Sequence, residues 1–150
     1  MVGKDQKIRI VNTVLIEQMK FLINIGYIIK ENGIEVIHPN IERYKIVFSR
    51  QDRKIMFSYV EKNIRDELLD SIRIMISKDE YNSFEFETYL KAIGIKNPEE
   101  NLKLINYKGN FKERMEKFCE FIKEIFSNQL LKVISGEEWI NVGFDWGPYK

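Results

Sequence analysis

The stretch RYKIVFSRQDRKIMFSY, residues 43–59, decides the fold of this 150-residue chain. Apolar side chains occupy every second position on both sides of a polar break, QDR, in its middle. A period of two is typical of a strand with one buried face, and two such segments across a short link predict an antiparallel hairpin. The alternation places Tyr44 and Ile46 on one face of this hairpin and Arg43 and Lys45 on the other.

Two further strands are predicted around the hairpin. Residues 72–76 form the clearer one, because three isoleucines alternate there with Arg73 and Met75. A short extended run is expected at residues 34–38, before the hairpin. The charged segment Glu61–Asp70 is typical of an exposed excursion between strands. The sequence therefore predicts a sheet of three to four strands.

Helical patterns flank these strands. Residues 7–32 predict one long opening helix with a narrow polar stripe, ended by a left-handed turn at Asn32-Gly33. A short helix is expected at residues 84–93, capped by Asn82 or Ser83, with Glu85 at the capping-box offset from Asn82. Pro98, after Asn97, predicts a further helical turn because proline suits the first helical position.

A late helix completes the pattern. It begins at Asn110, with Glu113 at the capping offset, and its apolar positions recur with a period of 3.6 as far as Val133. The order of helix, strands and helices predicts an α+β fold: an antiparallel β-meander of three to four strands with long N- and C-terminal helices packed on one face. We expect a single globular domain over residues 1–150.

The bulk composition limits the partners of the chain. It carries 24 basic and 23 acidic side chains, so it lacks the basic excess of most nucleic-acid binders, and we expect no nucleic-acid partner. The apolar region at residues 11–29 is interrupted by charged side chains, and the first residues lack the pattern of a signal peptide. We therefore expect a cytoplasmic protein without a membrane partner. The preference for Ile, Lys and Asn indicates an AT-rich, bacterial source.

Residues for common catalytic chemistry are scarce. The chain has one histidine, His38, and one cysteine, Cys119, so the paired groups of most hydrolytic and metal-dependent sites are missing. We interpret His38 as a turn residue and Cys119 as a core residue. Phosphate-loop, calcium-loop and zinc motifs are also missing. The sequence predicts no catalytic residue, no metal site and no cofactor, hence a protein that is not an enzyme.

The most distinctive local pattern is DEYNSFEFE, residues 79–87, which we name the acidic-aromatic segment. One interpretation is a helix start that favours carboxylates, with its aromatic rings in the core. The other is a docking surface for a basic protein partner, such as an enzyme that cleaves nucleic acid. The C-terminal tail offers a further aromatic anchor, whereas Trp139 is expected to pack on the core. The predicted partner-binding residues are Asp79, Glu80, Tyr81, Glu85, Glu87 and Trp146.

In outline the chain resembles the small cytosolic immunity proteins that neutralise bacterial polymorphic toxins. The parts that carry the resemblance are the apolar opening helix, the hairpin Tyr44–Tyr59, the late helix from Asn110 and the ending Ile134–Trp139. The resemblance implies a binder that forms a stoichiometric complex with a toxin domain and blocks or distorts its active site. It assigns no functional residue, and the oligomeric state stays open.

Two alternatives remain open at the level of sequence. A carboxylate-based or metal-dependent enzyme requires two acids to meet in one pocket. A small-ligand or regulatory module requires a pocket between the opening helix and the sheet. The acids available to the enzyme alternative are Asp66, Glu67, Asp70, Asp79, Glu80, Glu85 and Glu87.

Overall fold

The computed structural model describes residues 3–38, 41–64 and 67–142 as an α+β fold around a five-stranded antiparallel sheet. The strands are β1 (Ile28–His38), β2 (Ile41–Arg50), β3 (Arg53–Ile64), β4 (Glu67–Ser77) and β5 (Ser83–Glu85). The helices are α1 (Lys4–Gln18), α2 (Lys20–Asn24), α3 (Phe86–Ala92), α4 (Pro98–Asn101), α5 (Phe111–Ser127) and α6 (Leu131–Ile134), with a 3₁₀ turn at Leu104–Asn106.

The sheet is a meander in which each strand pairs with the next one along the chain. The predicted hairpin is confirmed as β2 and β3, and Ile46 lies opposite Phe57, which in turn lies opposite Ile74 on β4. Residues opposite each other in a ladder share a face. All three side chains are buried, and this row forms the floor of the core.

The helices cover one face of the sheet. On α1, Val11 and Leu15 are buried one turn apart, and α1 packs mainly against α5. Phe126 of α5 reaches the sheet, where its ring lies 6.4 Å from the ring of Phe57. The opposite face, which we name the outer face, carries no helix in the described part of the chain. One covered and one open face are typical of an antiparallel sheet.

The prediction of one opening helix at residues 7–32 is wrong. Two helices take its place, of which α1 ends at Gln18 and α2 ends at Asn24. Gly26, with φ +102°, supplies the left-handed turn expected at Gly33. The chain then enters β1 at Ile28 because its β-branched residues favour extended backbone. The extended run predicted at residues 34–38 is the second part of this strand, and the unpredicted short β5 raises the number of strands to five in place of the three to four predicted.

The segment Glu61–Asp70 was expected to be an exposed excursion, and this too is wrong. β3 continues to Ile64, β4 begins at Glu67, and Glu61 lies directly opposite Asp70. Backbone hydrogen bonds hold the two strands together independently of side-chain charge. The many charged residues of this segment therefore did not indicate where the pairing of β3 with β4 ends.

The late helix begins as predicted and ends earlier. Asn110 Oδ1 accepts a hydrogen bond from the Glu113 amide at 2.9 Å, and Glu113 Oε1 accepts one from the Asn110 amide at 3.1 Å. This capping box starts α5. The helix stops at Ser127, since Asn128 leaves the helical conformation and its side-chain amide donates to the Glu124 carbonyl. Residues 131–134 form the separate helix α6.

Two arginines of the hairpin turn hold the end of α6. Arg53, only 3% exposed, donates from Nε to the Val133 carbonyl at 2.8 Å and from Nη2 to the Glu138 carbonyl at 2.8 Å. Arg50 donates from Nη1 to the Ser135 carbonyl at 2.6 Å. Cationic donors at a helix C-terminus satisfy carbonyls that lack helical partners. The arginines thus join the hairpin to the last helix.

We predict that Asn110→Ala lowers the free energy of unfolding by about 1 kcal/mol, because the Glu113 amide in the first turn of α5 loses its side-chain acceptor. Urea denaturation measures the change. Asn101→Ala is the matched control, since the Asn101 side chain makes no hydrogen bond to the described residues. Equal effects of the two substitutions would contradict the assigned cap.

Candidate functional site

The acidic-aromatic segment begins with a tight turn between β4 and β5. Asp79 Oδ1 accepts hydrogen bonds at 2.9 Å from the amides of Tyr81 and Asn82, and the Asn82 side chain donates to both oxygens of the same carboxylate. These hydrogen bonds hold the pKa of Asp79 below its usual range. The carboxylate therefore organises the turn as an anion. At the tip, Tyr81 is 89% exposed.

The other two aromatic residues of the segment belong to the core. Phe84 packs against Trp139 with ring centroids 5.4 Å apart, and Phe86 packs edge-on against Phe126 at 5.6 Å. Trp139 packs on the core as predicted from its position. Of the three aromatic side chains in the segment, Tyr81 is thus the one directed to solvent.

The helix predicted at residues 84–93 begins later than expected. Residues 83–85 form β5, and α3 starts at Phe86 with Glu85 in the capping position. The predicted capping box of Asn82 and Glu85 is wrong, because the side chain of Asn82 bonds to Asp79 and that of Glu85 forms an ion pair with Arg73. The structure nevertheless confirms a helix in this region.

Glu85 and Glu87 both line a groove of about 290 Å³, which lies along the part of the β4 edge that β5 does not cover. β5 pairs with residues 75–77 of β4, and the Ile72 amide of β4 donates to the Leu102 carbonyl, just after α4, at 3.1 Å. The groove lies between these two contacts. The charged side chains around it are Arg73, Glu85, Glu87, Glu99 and Lys103. Arg73 pairs with Glu85, and Lys103 pairs with Glu100 at 3.2 Å. The cations of the groove are thus already matched by carboxylates.

The structure divides the predicted binding residues into two neighbouring groups. Asp79, Glu80 and Tyr81 form the turn, and Glu85 and Glu87 line the groove. Trp146 lies outside the described residues. Sequence reasoning missed the contributions of Glu99 and Lys103, because only the return of the chain past β4 brings them to this edge.

A second group of titratable side chains lies where β3 and β4 extend past the core. Asp70 is 3% exposed, and its Oδ1 has no hydrogen-bond partner among the described residues. Opposite it, Glu61 accepts bonds from Lys7 Nζ at 2.8 Å and from the Tyr59 hydroxyl at 3.2 Å. Burial raises the pKa of Asp70, and the Lys7 ammonium partly opposes this shift. Folding therefore destabilises the ionised form of Asp70 relative to the neutral form.

The remaining candidates have simpler settings. Cys119 is fully buried on α5, and burial raises the pKa of its thiol to about 12, which disfavours the nucleophilic thiolate at neutral pH. His38 is the last residue of β1, and its side chain lies outside the described part, as do Asp66 and the Glu67 side chain. On the outer face, Lys45 pairs with Glu31 at 3.0 Å, and this ion pair offsets the positive charge of Lys45.

Neither a metal cluster nor a membrane span is found in the described ranges. Among these residues, no group of three or more His, Cys, Asp or Glu side chains is arranged to hold a metal ion. None of the described helices has both the length and the apolar character required to cross a bilayer.

Comparison with known proteins finds no matching family model, curated protein or solved structure.

We predict that Asp79→Ala loosens the turn, because three donors lose their acceptor. Amide hydrogen exchange at Tyr81 and Asn82 should accelerate at least tenfold, with the exchange of β4 unchanged. Glu80→Ala is the matched control, since within the described part of the chain the Glu80 side chain makes no hydrogen bond. Unchanged exchange in the Asp79 variant would contradict a turn organised by this carboxylate.

We predict that Asp70→Asn raises the melting temperature at pH 7. A carboxyl whose pKa is raised by folding stabilises the protein fully below its unfolded-state pKa, and this stability is lost as the pH rises towards the folded-state value. The amide cannot ionise, so its advantage should vanish near pH 3. Calorimetry at both pH values measures the difference, and an equal gain at pH 3 would contradict the assignment to ionisation.

Proposed function

We propose that this protein is a non-catalytic protein-binding module, an immunity or inhibitor protein that neutralises a bacterial toxin by forming a stoichiometric complex in the cytoplasm. The observation that carries the proposal is Tyr81. An aromatic side chain that is 89% exposed on a turn fixed by four hydrogen bonds is suited to anchor a partner. Tyrosine is enriched among the residues that dominate interface energies.

The fixed turn supports the proposal further. A turn whose backbone is already held in one conformation loses little backbone entropy when its aromatic anchor binds, and pre-organisation of this kind favours affinity. Asp79 holds the turn through backbone amides, so Tyr81 is presented without help from the partner. Phe84 and Phe86 tie the next residues to the core, which keeps the turn in place relative to the sheet.

The charges beside Tyr81 indicate the chemistry of the partner. Glu80 is exposed on the turn, and Glu87 and Glu99 line the groove without an ion pair to any described side chain. Carboxylates around an aromatic anchor complement a basic surface and accelerate association with it. A toxin that cleaves nucleic acid has such a surface, because its substrate is a polyanion. We propose a toxin domain of this class as the partner.

The proposal is tested by recovering the partner of the tagged protein from producing cells and measuring its stoichiometry. The expected result is one protein bound in a one-to-one complex. Tyr81→Ala should then weaken the affinity about thirtyfold, the effect of losing about 2 kcal/mol at an interface anchor. Ile93→Ala, which removes another exposed apolar side chain, is the matched control. Recovery of no stoichiometric partner would contradict the proposal.

The charge contribution is tested with the same partner. The triple variant Glu80→Gln, Glu85→Gln, Glu87→Gln should slow association and reduce its dependence on salt, because these charges attract the basic partner. Neutralising Glu17, Glu120 and Glu124, three exposed carboxylates on α1 and α5, is the matched control. If both triple variants change the association rate equally, net charge is responsible and the acidic-aromatic segment is not the docking surface.

A carboxylate-based enzyme is the second candidate, favoured by the convergence of three carboxylates on one groove. Glu85 is committed to Arg73, which leaves Glu87 and Glu99 as the two free acids. This alternative gains support if the protein turns over a substrate and Glu87→Gln abolishes turnover. It is rejected if a stoichiometric partner is bound equally well by the Glu87 variant and the wild type, with no turnover.

A further inference from the structure

The edge of the sheet farthest from the acidic-aromatic segment is formed by β1. This strand pairs with β2 on one side only, so no strand of the described chain occupies its other side. It also carries four large apolar side chains with substantial exposure: Ile28, Ile29, Ile34 and Val36. A free edge with exposed β-branched residues is a template for another strand.

The helix layer stops short of this edge. Ile34 lies opposite Tyr44 and therefore on the helical face, but Ile34 is 54% exposed whereas Tyr44 is buried. Val36, two residues further along the same face, is 66% exposed. The boundary is marked by Asn12 of α1, which bonds to both Asn32 and Tyr44. Beyond that contact lies an apolar shelf, formed by Ile34 and Val36.

The other face of β1 is acidic at the edge. Glu35 lies opposite Arg43, and Glu31 lies opposite Val47, so both carboxylates belong to the outer face. They pair with Arg43 and Lys45, whose side chains are about half as exposed as the carboxylates. The carboxylates are thus more exposed than the cations with which they pair. Their complement is a basic residue on whatever lies beside β1.

A second copy of this chain fits the edge poorly. Pairing the whole of β1 with itself in antiparallel orientation centres the contact on Gly33, the middle residue of the strand. That register places Glu31 of each copy directly opposite Glu35 of the other. Like charges directly opposite one another destabilise a strand pair. The edge is therefore better matched to a different chain.

We propose that the β1 edge binds an extended segment of a partner protein, in which apolar residues alternate with basic ones, as a sixth strand of the sheet. The backbone of the segment would pair with β1, its apolar side chains would cover Ile34 and Val36, and its basic side chains would face Glu31 and Glu35. Backbone pairing supplies the affinity of such added strands, and the alternate side chains supply their selectivity. This surface is independent of the acidic-aromatic segment.

The probe is the acetylated, amidated peptide KVKVKVK, titrated into isotope-labelled protein and followed by NMR. We expect shifts concentrated at residues 28–36 and slower exchange of alternate β1 amides. The peptide KVKPKVK should bind at least tenfold more weakly, because proline removes a backbone donor and cannot continue a ladder. The peptide EVEVEVE should also bind at least tenfold more weakly, because its carboxylates face Glu31 and Glu35.

The protein variant Ile34→Lys, Val36→Lys should weaken KVKVKVK binding at least tenfold, since it removes the apolar shelf and adds positive charge. Ile93→Lys, Leu131→Lys is the matched control with two exposed apolar residues from other elements, and Tyr81→Ala should also leave peptide binding unchanged. The dispersion of the NMR spectrum checks folding. Three results overturn the proposal: no shifts at millimolar peptide, equal binding of the three peptides, or a dimer in ultracentrifugation that the β1 variant abolishes.

Discussion

The structure depends on the packing of Phe57 at the centre of the sheet. Its ring is flanked by Ile46 and Ile74 on the neighbouring strands and meets Phe126 of α5 from above. Large-to-small substitution at such a position costs about 3–5 kcal/mol, a large part of the stability of a domain of this size. A slip of one residue in β3 would turn Phe57 to the outer face. The packing of Phe57 therefore fixes both the register of the sheet and the position of α5 on it.

The distribution of exposed surface follows from that centre. The helices seated over β2, β3 and β4 leave β1 uncovered at one edge, and at the other edge β5 pairs with only part of β4. The acidic-aromatic segment and the β1 edge both lie at these edges of the sheet, where the helix layer or the strand ladder is incomplete. They also differ in kind. Tyr81 presents a side chain on a fixed turn, whereas β1 presents its backbone and a shelf of apolar residues.

The sequence predicted those elements whose periodicity is local. The hairpin of β2 and β3 and the start of α5 were correct, because alternation and the Asn110 capping box depend on neighbours in the chain. The start of β1 was missed because Ile28 and Ile29 fit an apolar helix as well as a strand. The long pairing past Glu61 was missed because strand pairing is a contact between distant residues. The capping box of Asn82 and Glu85 failed partly for the same reason, since Glu85 pairs with Arg73 of the neighbouring strand, and partly because Asn82 bonds to Asp79.

The candidate site could be predicted only as a list of residue types. DEYNSFEFE gives no indication of which aromatic ring faces solvent, because alternation along three residues of β5 is too short to read. Tertiary packing determines which ring is exposed. Phe84 packs against Trp139 and Phe86 packs against Phe126 in the core, whereas the turn organised by Asp79 leaves Tyr81 in solvent. The buried pair therefore fixes the sheet end of the segment, and the carboxylate fixes its tip. The exposed position of Tyr81 therefore follows from the packing of its neighbours in the core. For this reason one short segment combines core residues with a residue suited to binding.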